Sequence, residues 1–307
     1  MDPRRRVELV AGKVARLSAP DTKTLLMGAA SALANEPRLV RMPPGRVLIV
    51  GDTHGDWSSS KAAYEAFLEY GCKRLVFLGD YVDRGNYQVD NVNFVLYLKL
   101  LHRYKVVLLR GNHELRQIHD AYGFREAVRA KLGSKFLEIY DLYGFAFSHM
   151  SFAAICADGT LCAHGGIPRG IGCLEDLETS LRDELRDAWR GAGRAPHPAA
   201  ESSSLPPVAF QLVWNDPKDG ISGFKPNKRR GPGAYYYGRD ALEEFLGRCG
   251  LKRLVRSHEP VSKKNAVAWD GKLVTVFSSK SYSARHAPAA LLLETDGSSS
   301  WVDLKLK

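Results

Sequence analysis

Residues 47–56 read Val47-Leu48-Ile49-Val50-Gly51-Asp52-Thr53-His54-Gly55-Asp56, four apolar, β-prone residues running into a glycine-flanked cluster of acids and an imidazole. The same grammar recurs twice downstream. Leu75-Val76-Phe77-Leu78 leads into Gly79-Asp80 and Val82-Asp83-Arg84-Gly85, and Val106-Val107-Leu108-Leu109 leads into Gly111-Asn112-His113-Glu114. Each polar cluster thus falls at a strand tip, where glycine permits a sharp turn and close approach to the backbone. Oxygen and imidazole ligands gathered in this way, without cysteine, suit a hard or borderline divalent cation such as manganese, iron or zinc.

Between these tips the pattern turns helical. Residues 58–70 read as a helix closed by Gly71, and residues 88–104 as another, so residues 47–109 form a βαβαβ unit. Upstream, residues 7–34 carry helical spacing, with Asp21 as the expected N-cap, and Pro37, Pro43 and Pro44 end that lead-in. Residues 124–132 and 135–143 also read as helices. Further on, Asp158-Gly159, Asp270-Gly271 and Asp296-Gly297 each separate two β-prone runs, the strongest short-range hairpin signal, so the second half is expected to be rich in antiparallel strands. Leu174, Leu177, Leu181, Leu185 and Ala188 mark an amphipathic helix. Residues 191–207, rich in Gly, Ala, Pro and Ser, read as an extended loop, a passive surface linker ahead of a lid. The expected architecture is α/β, a sandwich of two mixed β-sheets flanked by helices, with the ligand-bearing loops along one edge.

The chain has 307 residues, 45% of them hydrophobic, enough for one large α/β domain or two small ones, and residues 1–307 are read as a single domain with residues 1–44 as its helical lead-in. No apolar run approaches the roughly 18 residues of a membrane span, and the basic start Met1-Asp2-Pro3-Arg4-Arg5-Arg6 is not followed by a signal-like apolar segment. A soluble, cytoplasmic protein without a membrane partner is expected. The five cysteines are scattered, with no Cys-x-x-Cys pair, and read as reduced, buried residues. A net charge of +10 is compatible with nucleic acid, phosphorylated substrates or a solvated surface. The densest interior cluster, Lys225 to Arg230, lies in a Gly/Pro-rich loop without interleaved aromatics, which disfavours a nucleic-acid face.

Together with His164-Gly165-Gly166, Trp214-Asn215-Asp216-Pro217, Arg230-Gly231, Ser257-His258-Glu259 and Phe277-Ser278 followed by Tyr282, the opening motifs resemble, in order, those of the PPP family of metal-dependent serine/threonine phosphoprotein phosphatases, within the metallophosphoesterase superfamily. The resemblance covers roughly residues 45–285. It implies two divalent metal ions, manganese first, with iron or zinc as alternatives. Asp52 and His54 are then ligands of one, Asn112, His164 and His258 of the other, and Asp80 of both, because a carboxylate has two oxygens and can bridge. It further implies hydrolysis of phosphoserine and phosphothreonine in proteins by a hydroxide bridging the two metals. His113 becomes the general acid, oriented by Asp83, and Arg84, Arg230 and Tyr282 hold the phosphate. The last loop departs from the family: Ser278-Ser279-Lys280-Ser281-Tyr282-Ser283 keeps the tyrosine but lacks the usual proline, asparagine and cysteine.

Taken singly, each Gly-Asp pair is an ordinary turn, and His164 or His258 a loop or strand-end histidine. Their joint occurrence in order is what carries the metal site. Two other functions use or mimic such a core: hydrolysis of dinucleoside polyphosphates or other phosphodiesters, and ligand binding on a catalytically dead phosphatase scaffold. Val82-Asp83-Arg84-Gly85 and Glu114 favour the protein phosphatases, and the intact ligand set with His113 speaks against a dead scaffold. Phosphoproteins are the expected partners, and no regulatory subunit is readable. Residues 301–307 end the chain without a tail, so no appended autoinhibitory or calmodulin-binding element is expected.

Overall fold

Alternate residues of the strand that opens the first motif face two different cores. In β2 (Val47–Val50), Val47 and Ile49 join one apolar cluster while Leu48 and Val50 join another, as the two-residue repeat of an extended chain requires. The computed structural model describes residues 2–190, 207–263, 266–280 and 287–305. β2 pairs in parallel with β3 (Arg74–Phe77), and β3 in parallel with β4 (Val106–Leu108). On its other side β2 pairs antiparallel with β13 (Ala289–Leu293), which continues into β14 (Ser299–Asp303). The second sheet runs in the order β1 (Leu39–Arg41), β5 (Ala153–Ile155), β6 (Thr160–Ala163), β10 (Arg253–Arg256), β12 (Leu273–Thr275) and β11 (Val267–Ala268).

The inner faces of the two sheets meet. Val47, Ile49, Val76, Val107 and Leu291 of the first sheet and Ala154, Cys162, Val255 and Val274 of the second form one dry core. Each fully buried aliphatic side chain there contributes about 1.5–3 kcal/mol over leaving it in water. Helices α1 (Pro3–Ala15), α2 (Ala19–Ala34), α3 (Trp57–Glu69) and α4 (Gln88–Leu101) pack on the outer face of the first sheet. The four-residue α5 (Arg116–His119) precedes α6 (Phe124–Leu132) and α7 (Phe136–Ser148), which complete that layer. On the outer face of the second sheet lie α8 (Leu174–Arg190), α9 (Pro207–Trp214) and α10 (Arg239–Arg248). A small third sheet is built from β7 (Asp216–Pro217), β8 (Phe224–Pro226) and β9 (Tyr235–Tyr237). Among the described residues no helix is long and apolar enough to cross a membrane.

The sandwich of two mixed sheets is thus as expected, with differences in detail. The three Asp-Gly turns do close antiparallel pairs, β5/β6, β11/β12 and β13/β14. The centre of the second sheet is nevertheless parallel, β6 with β10 and β10 with β12. The lead-in is two helices, and the N-cap of the second is Ser18, not Asp21. Ser18 Oγ accepts from the Asp21 amide while the Asp21 carboxylate accepts from the Ser18 amide, a reciprocal capping box. α4 stops at Leu101, short of Tyr104, and α7 runs on to Ser148, past Tyr143. Of the expected loop at residues 191–207, Pro207 begins α9 and the remainder lies outside the described residues. Cys72, Cys156, Cys162 and Cys249 are buried and free, whereas free Cys173 is only half-buried.

Behind the site, two neutral histidines make stability depend on pH. His119 is fully buried, its Nδ1–H donating to Tyr140 Oη, which in turn donates to Asp120. Burial, with Arg116, Arg110 and His113 nearby, pushes its pKa down to about 3, and burial with Arg38 and Arg110 takes His149 down to about 4. Ordinary imidazole titrates near 6.5, so below that pH the unfolded chain takes up protons that the folded chain refuses. His119's own contribution is complete above about pH 6.5 and is lost as pH falls, by an amount on the order of 3 kcal/mol by pH 4. Between pH 7 and pH 4 the urea midpoint of wild type should therefore fall relative to that of His119→Asn; parallel profiles for the two would show that His119 makes no such contribution.

Candidate metal centre

In the first sheet β2, β3 and β4 run parallel, in the second β6, β10 and β12 do, and the polar motifs follow the ends of these strands. An isolated parallel bridge between Asp52 and Phe277 joins the tips of β2 and β12, bringing the two sheets together where the motifs cluster. Chain entry into the site is tight. A Cβ on Gly111 would lie 2.2 Å from Asp80 Oδ1, and one on Gly79 would lie 2.4 Å from the Gly111 amide nitrogen, so the second and third motifs touch backbone to backbone through their glycines. Five predicted site residues, His54, Asp80, Asp83, Arg84 and His258, have φ between 42° and 69°. This left-handed conformation costs a non-glycine residue on the order of 1 kcal/mol, and the surrounding hydrogen bonds hold it.

Those bonds are specific. Glu114 is fully buried and accepts from three backbone amides, Asp80 at 2.8 Å, Tyr81 at 2.8 Å and Gly111 at 2.9 Å, clamping the second motif to the third. Burial and the Asp80 carboxylate push its pKa up to about 7 against these amides. Asp52 is held from the other sheet: its amide donates to Ser257 Oγ at 2.8 Å, Ser257 Oγ bonds Asp52 Oδ1, and the His258 amide donates to the same oxygen at 3.1 Å. The His113 amide donates to Asp80 Oδ1 at 2.9 Å.

The imidazoles are oriented by carbonyls, and this fixes where their lone pairs point. His54 Nδ1 lies 2.8 Å from Val82 O and His164 Nδ1 lies 3.0 Å from Leu78 O. A carbonyl only accepts, so both Nδ1 atoms carry hydrogen, and in the neutral, metal-binding form of each ring Nε2 presents the lone pair. His164 Nε2 then faces Asn112 Oδ1 at 2.9 Å, His258 Nδ1 at 3.2 Å and Asp80 Oδ1 at 3.4 Å. His54 Nε2 faces Asp80 Oδ2 at 3.5 Å and Asp52 Oδ2 at 3.6 Å. Two clusters of electron-pair donors therefore converge, and Asp80 contributes one oxygen to each.

Such clusters repel unless a cation sits among them. Atoms each about 2.1 Å from one cation lie roughly 3.0–3.4 Å from one another, close to the spacings found. The protonation balance tells the same story. Burial alone would lower His54, yet the Asp52 and Asp80 carboxylates hold it up at about 9; burial likewise opposes, and Asp80 and Asp52 likewise raise, His164. Burial would raise Asp80, but the neighbouring His164, His113 and His54 hold its carboxyl well below the usual range. The site thus demands positive charge. His258 is pushed well below the ordinary value by burial and by His164, Arg230 and Arg256, so it stays a neutral donor. Its Nε2 is buried without a hydrogen-bond partner among the described residues and lies 3.7 Å from Asp216 Oδ1. All six expected ligands are buried and face these two clusters, a donor set that fits two divalent ions of the manganese, iron or zinc type.

His113 stands at the edge. Its Nδ1 is 2.6 Å from Asp83 Oδ2, and its Nε2 is 4.0 Å from Asp80 Oδ2, so the dyad turns the far nitrogen towards the shared carboxylate. Asp83 Oδ1 accepts from the Phe124 amide at 3.0 Å, at the start of α6. Arg84 is exposed, its guanidinium 5.2 Å over the Tyr122 ring, which packs edge-on against His113. Arg230 reaches the site's flank but is tethered there, Nε donating to Asp216 Oδ2 at 2.8 Å. Tyr282, expected as a phosphate donor, lies outside the described residues.

Asp216, part of a motif that the resemblance already included, is a hub that accepts from Arg256 at 2.9 Å, Asn227 at 3.0 Å and Arg230. The supporting roles of Arg256 and Ser257 escaped the sequence reading. Arg256 is fully buried at the end of β10, and a cation directly after the apolar pair Leu254-Val255 was the available signal. For Ser257 and for the three amides on Glu114 there was none.

Residues 45–262 match the family described as calcineurin-like phosphoesterase. A probable serine/threonine-protein phosphatase of Encephalitozoon cuniculi is 32% identical over 249 residues, 81% of this chain and 50% of the relative. A serine/threonine-protein phosphatase of Arabidopsis thaliana is 31% identical over 279 residues, 86% of this chain and 25% of the relative. The chain thus spans half or less of the length of these relatives. In structure, a protein serine/threonine phosphatase from Saccharomyces cerevisiae with similarity to human phosphatase PP5 superposes with a TM-score of 0.75 over 95% of this chain and 91% of that one, at 22% identity. A cold-active protein-tyrosine phosphatase of a psychrophilic Shewanella reaches a TM-score of 0.55 over 88% and 84%, at 18% identity, a likeness of fold.

Proposed function

Since the chain belongs to the calcineurin-like phosphoesterase family, we propose that it is a metal-dependent phosphatase that hydrolyses phosphoserine and phosphothreonine in proteins. The observation that carries the reading is a pair of buried groups, His54–Asp80–His113 and Asp80–His164–His258, that meet on Asp80, with Asp83 bound to Nδ1 of His113. Asp52, His54 and Asp80 would hold one divalent ion, and Asp80, Asn112, His164 and His258 the other. Such ions, when bound, supply Lewis acidity to phosphoryl oxygens and acidify the attacking water.

The chain's own groups do the rest. Arg84 and Arg230 bind the phosphoryl oxygens, since a guanidinium stays charged and offers a planar fork of donors. Tyr282 is assigned to the same phosphate. His113 holds a proton at Nε2 and delivers it to the departing seryl or threonyl oxygen, a poor leaving group as an alkoxide. Asp83 keeps Nδ1 protonated and the ring aimed.

The test is a panel of substrates after chelation and readdition of Mn2+: phosphoserine and phosphothreonine peptides, a phosphotyrosine peptide and diadenosine tetraphosphate. Fastest metal-dependent turnover of the first two is expected. Preference for the dinucleotide would move the function to polyphosphate hydrolysis, and absence of metal-dependent turnover to a binding protein.

A further inference from the structure

Between Ile221 and Gly238 the chain carries four cations, Lys225, Lys228, Arg229 and Arg230, and no acid. The structure places this run on the β8–β9 hairpin, where Phe224, Lys225 and Pro226 pair with Tyr237, Tyr236 and Tyr235. The tip is ordered by its own backbone: the Asn227 amide donates to Ala234 O at 2.8 Å, and the Arg230 and Gly231 amides donate to Asn227 O at 3.1 and 3.2 Å. It is also tied to the metal centre. Asn227 and Arg230 both donate to Asp216 Oδ2, and Asp216 Oδ1 lies 3.7 Å from His258 Nε2. Lys228 and Arg229 fall between those two tethers, each one Cα step, about 3.8 Å, from a tethered residue.

The charges differ in their state. Arg230 is matched by Asp216. Lys225, Lys228 and Arg229 are exposed, and the ion pairs among the described residues include none of them. Beside the tip opens a cleft of about 300 Å³, with Pro226, Pro232, Gly233 and Tyr235 as walls and Lys228 among its lining. On Tyr235, the guanidinium of exposed Arg169 sits 5.5 Å from the ring centre. A partly apolar cleft lined by unmatched Lys228, with unmatched Arg229 next in the chain and linked to the metal centre through Asn227 and Asp216, is built to take an anionic side chain.

We infer that the β8–β9 hairpin is a subsite for an anionic side chain flanking the phosphorylated residue, so that the enzyme selects acidic phosphopeptides. The inference rests on the phosphoprotein reading above and names the substrates within it. The recognising chemistry is shared by a carboxylate and a second phosphoryl group.

The experiment compares kcat/KM for phosphoserine peptides that differ only in flanking residues: glutamate, glutamine, or a non-hydrolysable phosphonate analogue of phosphoserine. At low salt the glutamate peptide should exceed the glutamine peptide by roughly tenfold or more, and the phosphonate arm shows whether double charge adds to this. The contrast should shrink at high salt. The double variant Lys228→Glu/Arg229→Glu should erase or invert it, the milder Lys228→Gln/Arg229→Gln should reduce it, and p-nitrophenyl phosphate turnover should stay within twofold in both. Equal rates for the glutamate and glutamine peptides, or a preference untouched by both variants, would overturn the subsite and leave the phosphatase reading standing. An equal fall with p-nitrophenyl phosphate would overturn it by showing a role in the chemical step. Loss of oligonucleotide retention with unchanged peptide preference would overturn it in favour of a nucleic-acid face. Turnover of no phosphopeptide would remove both readings together.

Discussion

Asp80→Asn is expected to lower phosphopeptide turnover by roughly three orders of magnitude or more, equivalent to about 4 kcal/mol of barrier. The carboxylate is the one side chain common to both donor clusters, with Oδ1 3.4 Å from His164 Nε2 and Oδ2 3.5 Å from His54 Nε2. An amide of the same shape keeps one acceptor oxygen and turns an NH2 group towards the other cluster, so it cannot serve both. The substitution also removes the negative charge that holds His54 and His164 up. A second readout separates this from misfolding: wild type should melt at a higher temperature when Mn2+ is added, and Asp80→Asn should lose most of that shift while melting cooperatively in chelator. Retained turnover with a retained shift would show that Asp80 is not shared.

His113→Ala is expected to divide substrates by leaving group. On a phosphoserine peptide the loss should be about 10²–10⁴-fold in kcat, the usual contribution of a placed general acid. On p-nitrophenyl phosphate, whose leaving group departs as a stable anion, it should be roughly tenfold or less. The basis is geometric: Asp83 Oδ2 sits 2.6 Å from His113 Nδ1, which frees Nε2 to face the reaction centre. Asp83→Asn should show the same contrast with a smaller loss, since the ring remains but its orientation is less firmly set. Equal damage to both substrates would remove the general-acid role and leave His113 as a structural or binding residue.

Much of this site was legible because strand, turn and ligand follow one another in the chain. Val47 to Val50 carry the strand, Gly51 the turn and Asp52 the ligand, so a local pattern predicts a local placement. In α8, Leu177 and Leu181 are buried and Leu174 half-buried, as the amphipathic spacing predicts, while the side chains of Leu185 and Ala188 are outside what the structure describes. What remained unread depends on partners far apart in sequence. Asp216 receives Arg256, Asn227 and Arg230 from two different sheets, and Glu114 collects amides from two motifs. The misplaced cap at Asp21 has a local cause: Ser18 and Asp21 cap each other, and either residue type alone satisfies the N-cap pattern. The parallel centre of the second sheet was hidden because hairpin turns announce antiparallel pairs of consecutive strands, while β6, β10 and β12 pair across intervening chain, β10 with β12 across β11. Helices α9 and α10 are short, eight and ten residues, and offered little periodicity to detect.

Asp80 would serve two cations at once, and phosphoester cleavage would then need both. Mn2+ bound per chain, titrated into chelated protein while phosphoserine-peptide turnover is followed in the same samples, tests this most directly. Turnover that rises with the second equivalent and saturates at about two per chain is the predicted result; saturation at one equivalent, or turnover undiminished by chelation, would contradict it.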